Sequence, residues 1–378
     1  MKPILRAERM KPVHSDIRGP LYVEAMKRQK QGIDILKLNT GNPATFGFGL
    51  PDSIRNALME HMQDGVGYCD FKGMPQARQA ICDYETSKGI KGITPDDVFI
   101  GNGVSEVVSF ALTPLLNDGD EVLVPSPSYS LWGNSVYLED GKPVFYTCDE
   151  KAGWYPDIQD IRSKITDKTK AIVIINPNNP TGVLYPKEIL LEIIQVAREF
   201  GLLIFSDEIY DRLVMDGKQH ISLASLTEDV PVITLNGLSK SHCLCGYRCG
   251  WMVISGPREL TEDYRQGIIQ LTSLRLCANT LAQIVIPAAL DDMETPASMV
   301  RPGGRIYEQR EATVRELEKI DGLSFVKNDA AFYVFPKLDV KKFNITNDKQ
   351  FAHDLLDATN ILLVPGSGFD WKDPDHFR

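Results

Sequence analysis

Three stretches of this chain set a reactive or charged side chain directly beside a short apolar run: Asp207-Glu208-Ile209-Tyr210, Asn236-Gly237-Leu238-Ser239-Lys240 and Gly246-Tyr247-Arg248. A lysine amine, once deprotonated, is a nucleophile and a proton carrier. A carboxylate emerging from a buried strand needs a cation or a protonated ring nitrogen opposite it, because an unpaired buried charge is costly. An arginine soon after the lysine brings planar paired donors suited to an anion. Three further turns carry polar groups: Gly101-Asn102-Gly103-Val104-Ser105-Glu106, Pro125-Ser126-Pro127-Ser128-Tyr129 and Pro177-Asn178-Asn179-Pro180-Thr181-Gly182. The first opens a helix and so offers free backbone N–H groups to a phosphate. The second presents the Tyr129 ring for stacking, and the third holds Asn179 on a rigid turn. Singly, each has an ordinary explanation: a capping turn, a helix N-cap aspartate, a solvated lysine. Together they place Asn, Asp, Tyr, Lys and Arg after successive strands, which packing alone does not require. Lys240 is not the lysine of a nucleotide-binding loop, since no glycine directly precedes it, and the Gly101 turn lacks the third glycine of a dinucleotide fingerprint.

The elements that must position these groups are legible as β-branched runs alternating with amphipathic stretches, the mark of βαβ units. Strands are expected at Asp97–Ile100, Glu121–Val124, Lys142–Thr147, Ala171–Asn176, Leu202–Ser206, Val232–Leu235 and Trp251–Ile254, with a helix over Lys187–Phe200. In such an open sheet, ligands bind beyond the carboxyl ends of the strands, where the polar turns fall. The expected fold is α/β: a large unit over residues 45–279 with a mostly parallel seven-stranded sheet between helices. Residues 1–44 and 280–378 are expected to form a smaller, discontinuous α+β unit with a late strand at Ala331–Phe335. The chain stops soon after Asp373-Pro374-Asp375-His376-Phe377 with no final helix, so a shortened C-terminus is expected.

Composition narrows the function classes. The chain has 378 residues, 43% of them apolar and 24% charged, and its net charge of −10 is spread without a basic block. That argues against nucleic acid and against an anionic membrane as partners. Aliphatic runs such as Ala171–Ile175 are far shorter than the roughly 18–20 residues of a membrane span, and no signal-peptide pattern opens the chain, so a cytoplasmic protein is expected. Seven irregularly spaced cysteines fit free thiols in a reducing compartment. Cys243, Cys245 and Cys249 cluster, but their spacing with His242 suits no tetrahedral site, and no metal is expected.

From Ser15 to Arg378 the sequence resembles the class I aminotransferases, fold-type I enzymes that use pyridoxal 5′-phosphate. The resemblance rests on Leu38-Asn39-Thr40-Gly41-Asn42-Pro43, Tyr68 with Gly73 and Arg78, Asn179-Pro180-Thr181-Gly182, Asp207 with Tyr210, Ser239-Lys240 and Gly246-Tyr247-Arg248. Within the family, Asp16-Ile17-Arg18-Gly19-Pro20, Asn236-Gly237-Leu238-Ser239-Lys240, Leu274-Arg275-Leu276-Cys277-Ala278-Asn279 and Pro302-Gly303-Gly304-Arg305 look like the bacterial alanine aminotransferase branch. The resemblance implies that Lys240 holds the cofactor covalently and then moves a proton on the substrate, that Asp207 pairs with the pyridine nitrogen, and that Tyr210 and Asn179 bond its phenolic oxygen while Tyr129 stacks on the ring. It implies that Arg248, Ser239, Val104 and Ser105 hold the phosphate, with Tyr68 reaching in from a second subunit of a homodimer. It implies that Arg378 grips the substrate α-carboxylate beside Gly41.

Two positions depart from the pattern: Gly237 replaces a phosphate-binding serine of many relatives, and Ser15 stands where an aromatic residue near the substrate is expected. Arg18 is the candidate for the second carboxylate of a dicarboxylic substrate. The expected reaction is L-alanine with 2-oxoglutarate giving pyruvate and L-glutamate. The alternatives are an aminotransferase for aromatic or other neutral amino acids, a carbon–sulfur lyase on the same scaffold, and a non-catalytic sensor domain. The last would need a DNA-binding module, and nothing before Asp16 could form one.

Overall fold

The computed structural model describes residues 2–378. Its main sheet contains β1 (Val98–Asn102), β2 (Glu121–Ser126), β3 (Lys142–Asp149), β4 (Tyr155–Pro156), β5 (Thr169–Ile175), β6 (Leu203–Asp207), β7 (Val232–Gly237) and β8 (Cys249–Ser255). The spatial order is β1-β8-β7-β6-β5-β2-β3-β4. Strands β7, β6, β5, β2 and β3 are mutually parallel, while β8 runs antiparallel between β1 and β7. All seven strands expected from the sequence are present. The addition is β4, a two-residue antiparallel edge strand ending in proline, too short to leave a periodic signal.

Burial on both faces explains the near-continuous apolar runs. Along β5, Ile172 and Ile174 enter one core with Leu190, Ile193, Ile194 and Ala197 of the helix Lys187–Phe200. The intervening Ala171, Val173 and Ile175 enter the other, against the helices Val104–Leu112 and Leu131–Leu138. The helix Lys187–Phe200 has the extent expected from its 3.6-residue pattern and stops at Gly201, whose φ of +64° suits glycine after a helix C-terminus.

A third core joins Val98 and Ile100 of β1 and Trp251 and Val253 of β8 to Ala77 and Ile81 of the helix Pro75–Ser87. Ala282 of the helix Thr280–Ile284 and Ile286 and Ala289 of the helix Ile286–Asp291 pack into this same core. Elsewhere, Leu36–Lys37 pairs in parallel with Ile361–Leu362, and Leu323–Ser324 pairs antiparallel with Lys337–Leu338. The strand expected over Ala331–Phe335 does not form. Ala331 takes a φ of +57°, and the N–H groups of Ala330 and Ala331 bond the carbonyls of Gly182 and Leu213. The aromatic residues that suggested a strand are divided between two cores, Phe335 under the main sheet and Phe332 and Tyr333 around Tyr210.

Candidate active site

Parallel strands end on one side of a sheet, and the antiparallel β8 starts on that side. A cavity of about 190 Å³ opens there, lined by Gly41, Val104, Ser105, Tyr129, Asn179, Asp207, Tyr210, Ser239, Lys240, Arg248 and Arg378 among others. The turns after β1, β2, β5, β6 and β7 therefore converge as the sequence suggests. A larger cavity of about 450 Å³ lies alongside, sharing Thr40, Gly41 and Tyr333, but none of Lys240, Asp207 or Arg248 lines it.

Lys240 lies in a short helical turn, Leu238–Ser241, directly after β7. Its Nζ donates to the Gly41 carbonyl at 2.9 Å and sits 4.0 Å from the Cys245 Sγ, which itself donates to the Ser239 carbonyl at 2.9 Å. The glycine at 237 has a packing reason. Gly237 pairs with Gly250 across β7 and β8, and a Cβ on Gly237 would lie 2.5 Å from the Cys249 carbonyl oxygen. A side chain on Gly250 would collide with the Val104 backbone nitrogen, so bare backbone at both positions lets β8 approach the helix start.

Asp207, only 4% exposed, ends β6. Its Oδ2 accepts the Trp132 indole N–H at 3.1 Å and its Oδ1 accepts the Ile209 N–H at 3.3 Å. Burial pushes its carboxyl up to about 6, against these two bonds, which favour the charged form. The buried Tyr210 hydroxyl lies 2.9 Å from that of Tyr333, and desolvation holds the Tyr210 phenol well above its ordinary range.

The opposite end of the cavity is built for an anion. Arg248 has a φ of +55° and donates through Nη2 to the Ser105 Oγ at 3.0 Å. Val104 and Ser105 open the helix Val104–Leu112, so their N–H groups have no partner within it. Gly103 precedes them at φ +82°, and a side chain there would collide with the Arg248 guanidinium.

Arg378 is buried between the rings of Tyr333 and Phe369, at 4.3 and 4.8 Å from their centroids. Its Nη1 donates to the Asn179 Oδ1 at 3.0 Å and its Nη2 to the Asn39 carbonyl at 2.5 Å. Each Nη carries a second N–H beyond these bonds, so donors remain for a carboxylate. Its backbone exchanges hydrogen bonds with Val364, and Leu38 donates to Leu362; these contacts bring residues 38, 364 and 378 together. Gly41 has no room for a side chain, since a Cβ would collide with the Tyr333 hydroxyl.

Not every candidate joins the cavity. Ser15 and Arg18 are exposed and do not line it, although Ile17 between them does. Tyr68 is 83% exposed and also lies outside it. The cysteines adjacent in sequence diverge: Cys243 contacts the Met299 sulfur at 3.8 Å, Cys245 lines the cavity, and Cys249 is buried in β8. Trp132 and Tyr333 are functional neighbours that sequence reasoning missed, and Asn39 and Cys245 were named there without these contacts. Their contacts join segments far apart in the chain, and no local pattern marks them.

This architecture and rim are those of an aminotransferase, and the chain belongs to the class I and II aminotransferases, whose family model matches residues 33–378. Enzymes of this family generally depend on pyridoxal phosphate and use amino acids and oxo acids. The chain is 49% identical over its whole length to the glutamate-pyruvate aminotransferase AlaA of Haemophilus influenzae, covering 94% of that protein. It is 45% identical to the alanine aminotransferase of Mycobacterium tuberculosis, over 99% of this chain and 87% of that one. Among solved structures, an aminotransferase from Escherichia coli superposes with a TM-score of 0.98 at 47% identity, covering 100% of this chain and 93% of that one. The alanine aminotransferase from Pyrococcus furiosus gives 0.93 at 40% identity, with 99% and 94% covered.

Proposed function

We propose that this aminotransferase binds pyridoxal 5′-phosphate in the 190 Å³ cavity and transfers the amino group of L-alanine to 2-oxoglutarate, giving pyruvate and L-glutamate. The observation that carries it is Asp207: a buried carboxyl at the cavity, raised to about 6 and bonded only by the neutral Trp132 and Ile209 N–H groups, is matched by a protonated ring nitrogen. The partnerless N–H groups at Val104 and Ser105, beside Arg248, form a phosphate cradle at the other end. Bound there, the cofactor supplies an electron sink for charge developing at the substrate Cα.

The chain's own groups do the rest. Lys240 would hold the cofactor through its amine and, once released, would carry the proton to and from the substrate Cα. Asp207 would keep the ring nitrogen protonated, Tyr210 and Asn179 would bond the phenolic oxygen, and Tyr129 would stack on the ring. Ser239 and Ser105 add hydroxyls to the phosphate grip of Arg248. Arg378 holds the α-carboxylate with the donors left free by Asn179 and Asn39. The alanine preference is supported by the names of the similar enzymes from H. influenzae and M. tuberculosis.

We further propose a homodimer in which Tyr68 completes the partner's phosphate site. Tyr68 is exposed, as are the apolar Met62, Val66, Leu274 and Leu276, which gives it the character of a surface to be covered. Arg18, exposed and next to the cavity-lining Ile17, is proposed for the distal carboxylate of 2-oxoglutarate, with Ser15 beside the substrate. The two-unit division at 45–279 and 1–44 with 280–378 is proposed with one qualification: helices Thr280–Ile284 and Ile286–Asp291 ride on the large unit. A cytoplasmic location is supported by seven free cysteines, and among the described residues no single helix is long and apolar enough to cross a membrane.

The test is the absorption spectrum of the protein with pyridoxal phosphate, before and after L-alanine, beside Lys240→Ala. A lysine-dependent band that alanine converts to the pyridoxamine form is the expected result. No lysine-dependent band would overturn the cofactor site, and a band indifferent to alanine would overturn the substrate.

A further inference from the structure

Lys88 directly follows the helix Pro75–Ser87, and its ammonium is surrounded by three carboxylates. The Nζ lies 2.6 Å from Glu85 Oε2, 2.8 Å from Glu208 Oε2 and 3.2 Å from Asp211 Oδ2. All three acids are buried, Glu85 and Glu208 completely. Glu208, Asp211 and His220 have ligating atoms within 4.8 Å of one another, the arrangement of a small cation site. Here the lysine supplies the cation.

Asp211 Oδ2 also accepts the Tyr84 hydroxyl at 2.6 Å, and Glu208 Oε1 the Ser222 hydroxyl at 2.8 Å and the Leu223 N–H at 3.2 Å; the other bonds of these acids run toward the active-site strands. Glu208 and Asp211 flank Asp207 and Tyr210 in one turn, closed by the Asp211 N–H donating to the Glu208 carbonyl at 2.9 Å. Glu208 Oε1 accepts the Ser206 hydroxyl of β6 at 3.0 Å. Asp211 Oδ2 accepts the Asn236 amide at 2.7 Å, and Asn236 lies in β7, whose end carries Lys240. Glu85 Oε1 accepts the Trp251 indole N–H at 3.1 Å, and Trp251 lies in β8, just after Arg248. None of Glu85, Lys88, Glu208, Asp211, Asn236 and Trp251 lines the cavity.

We infer that Lys88 is a positioning residue whose ammonium ties the ends of β6, β7 and β8 together and thereby sets the mutual placement of Asp207, Tyr210, Lys240 and Arg248. A buried ion cluster is poor value for stability alone, since apolar residues of equal volume fill such space as well. Lys88 donates to Glu208 and Asp211 in the turn after β6 and ion-pairs with Glu85, and Asp211 and Glu85 carry that constraint on to Asn236 of β7 and Trp251 of β8, a directed relay that apolar packing does not provide. The inference rests on the proposed cofactor site and deepens it.

Lys88→Met alone leaves carboxylates without their cation and risks unfolding, so the informative variant is Lys88→Met with Glu208→Gln, which removes one charge of each sign. Asn236→Leu is the milder second variant, cutting a single link. For each, near-UV circular dichroism reports folding, titration with pyridoxal phosphate reports cofactor affinity, and a pH titration of the Lys240-dependent absorption band reports the environment of the amine. Both variants are expected to remain folded, to bind the cofactor about tenfold to a hundredfold more weakly, as misplacement from outside a site does, and to shift the titration of the band. A folded variant with wild-type affinity and an unshifted band would overturn the inference while the cofactor site stands. Absence of a Lys240-dependent band in the wild-type protein would overturn the cofactor site itself.

Discussion

Replacing Asp207 by asparagine separates what the cavity needs for stability from what it needs for chemistry. Burial raises this carboxyl from its ordinary 3.8 to about 6. Without cofactor, the group is protonated in folded and unfolded chains alike below about pH 4. Between about pH 4 and 6 the unfolded chain has released the proton and the native one still holds it, so native stability falls as pH rises. It levels off above the folded value, having lost about 3 kcal/mol. Asparagine carries no such loss, and its amide oxygen still accepts the Trp132 indole N–H. Cofactor-free Asp207→Asn should therefore be more stable than the wild type by up to about 3 kcal/mol near pH 8, with the gain vanishing near pH 4. Urea unfolding of both cofactor-free proteins across this range measures it. With pyridoxal phosphate present the order should invert, because only the carboxylate pairs with a protonated ring nitrogen. A variant no more stable at pH 8, or equally stabilised at both ends of the range, would refute the assignment of Asp207 as a strained acid awaiting a cation.

Trp132→Phe removes the donor that favours the ionised Asp207, so the loss of stability should still begin near pH 4 but extend to higher pH and grow larger, read by the same unfolding series. Arg378→Lys keeps the charge but loses the planar pair of donors; kcat/KM for L-alanine should fall about tenfold to a hundredfold, by the worth of one charge-assisted hydrogen bond, while the cofactor absorption stays unchanged. Gly237→Ser, which would restore the hydroxyl that many relatives carry, should instead destabilise the protein by about 1–3 kcal/mol through overpacking against the Cys249 carbonyl. Equilibrium denaturation checks it, and tighter cofactor binding without loss of stability would contradict the packing argument.

The strands were legible because they are buried on both faces, so their composition is set by burial itself: Ala171-Ile172-Val173-Ile174-Ile175 has no polar residue to blur it. The Ala331–Phe335 segment was misread because the same composition arises where aromatic residues are shared between two cores, and only long-range hydrogen bonds to Gly182 and Leu213 decide between the cases. Gly41 and Gly237 could be named from the sequence, but the reasons for their smallness, the Tyr333 hydroxyl and the Cys249 carbonyl, belong to segments remote in the chain.

What the sequence determined by itself is the order of strands and polar turns, and hence that Asn179, Asp207 and Lys240 share one end of a sheet, since parallel strands leave their carboxyl ends on the same side; Arg248 joins them because β8 runs antiparallel. Only the tertiary structure decided that Trp132 bonds Asp207, that Tyr333 meets Tyr210, that Arg378 rests on Asn179 and Asn39, and that Lys88 meets Glu208 and Asp211 behind β6. Those contacts close over long loops of chain, and the side chains that make them have no spacing rule. Their partners are chosen by the packing of the finished core.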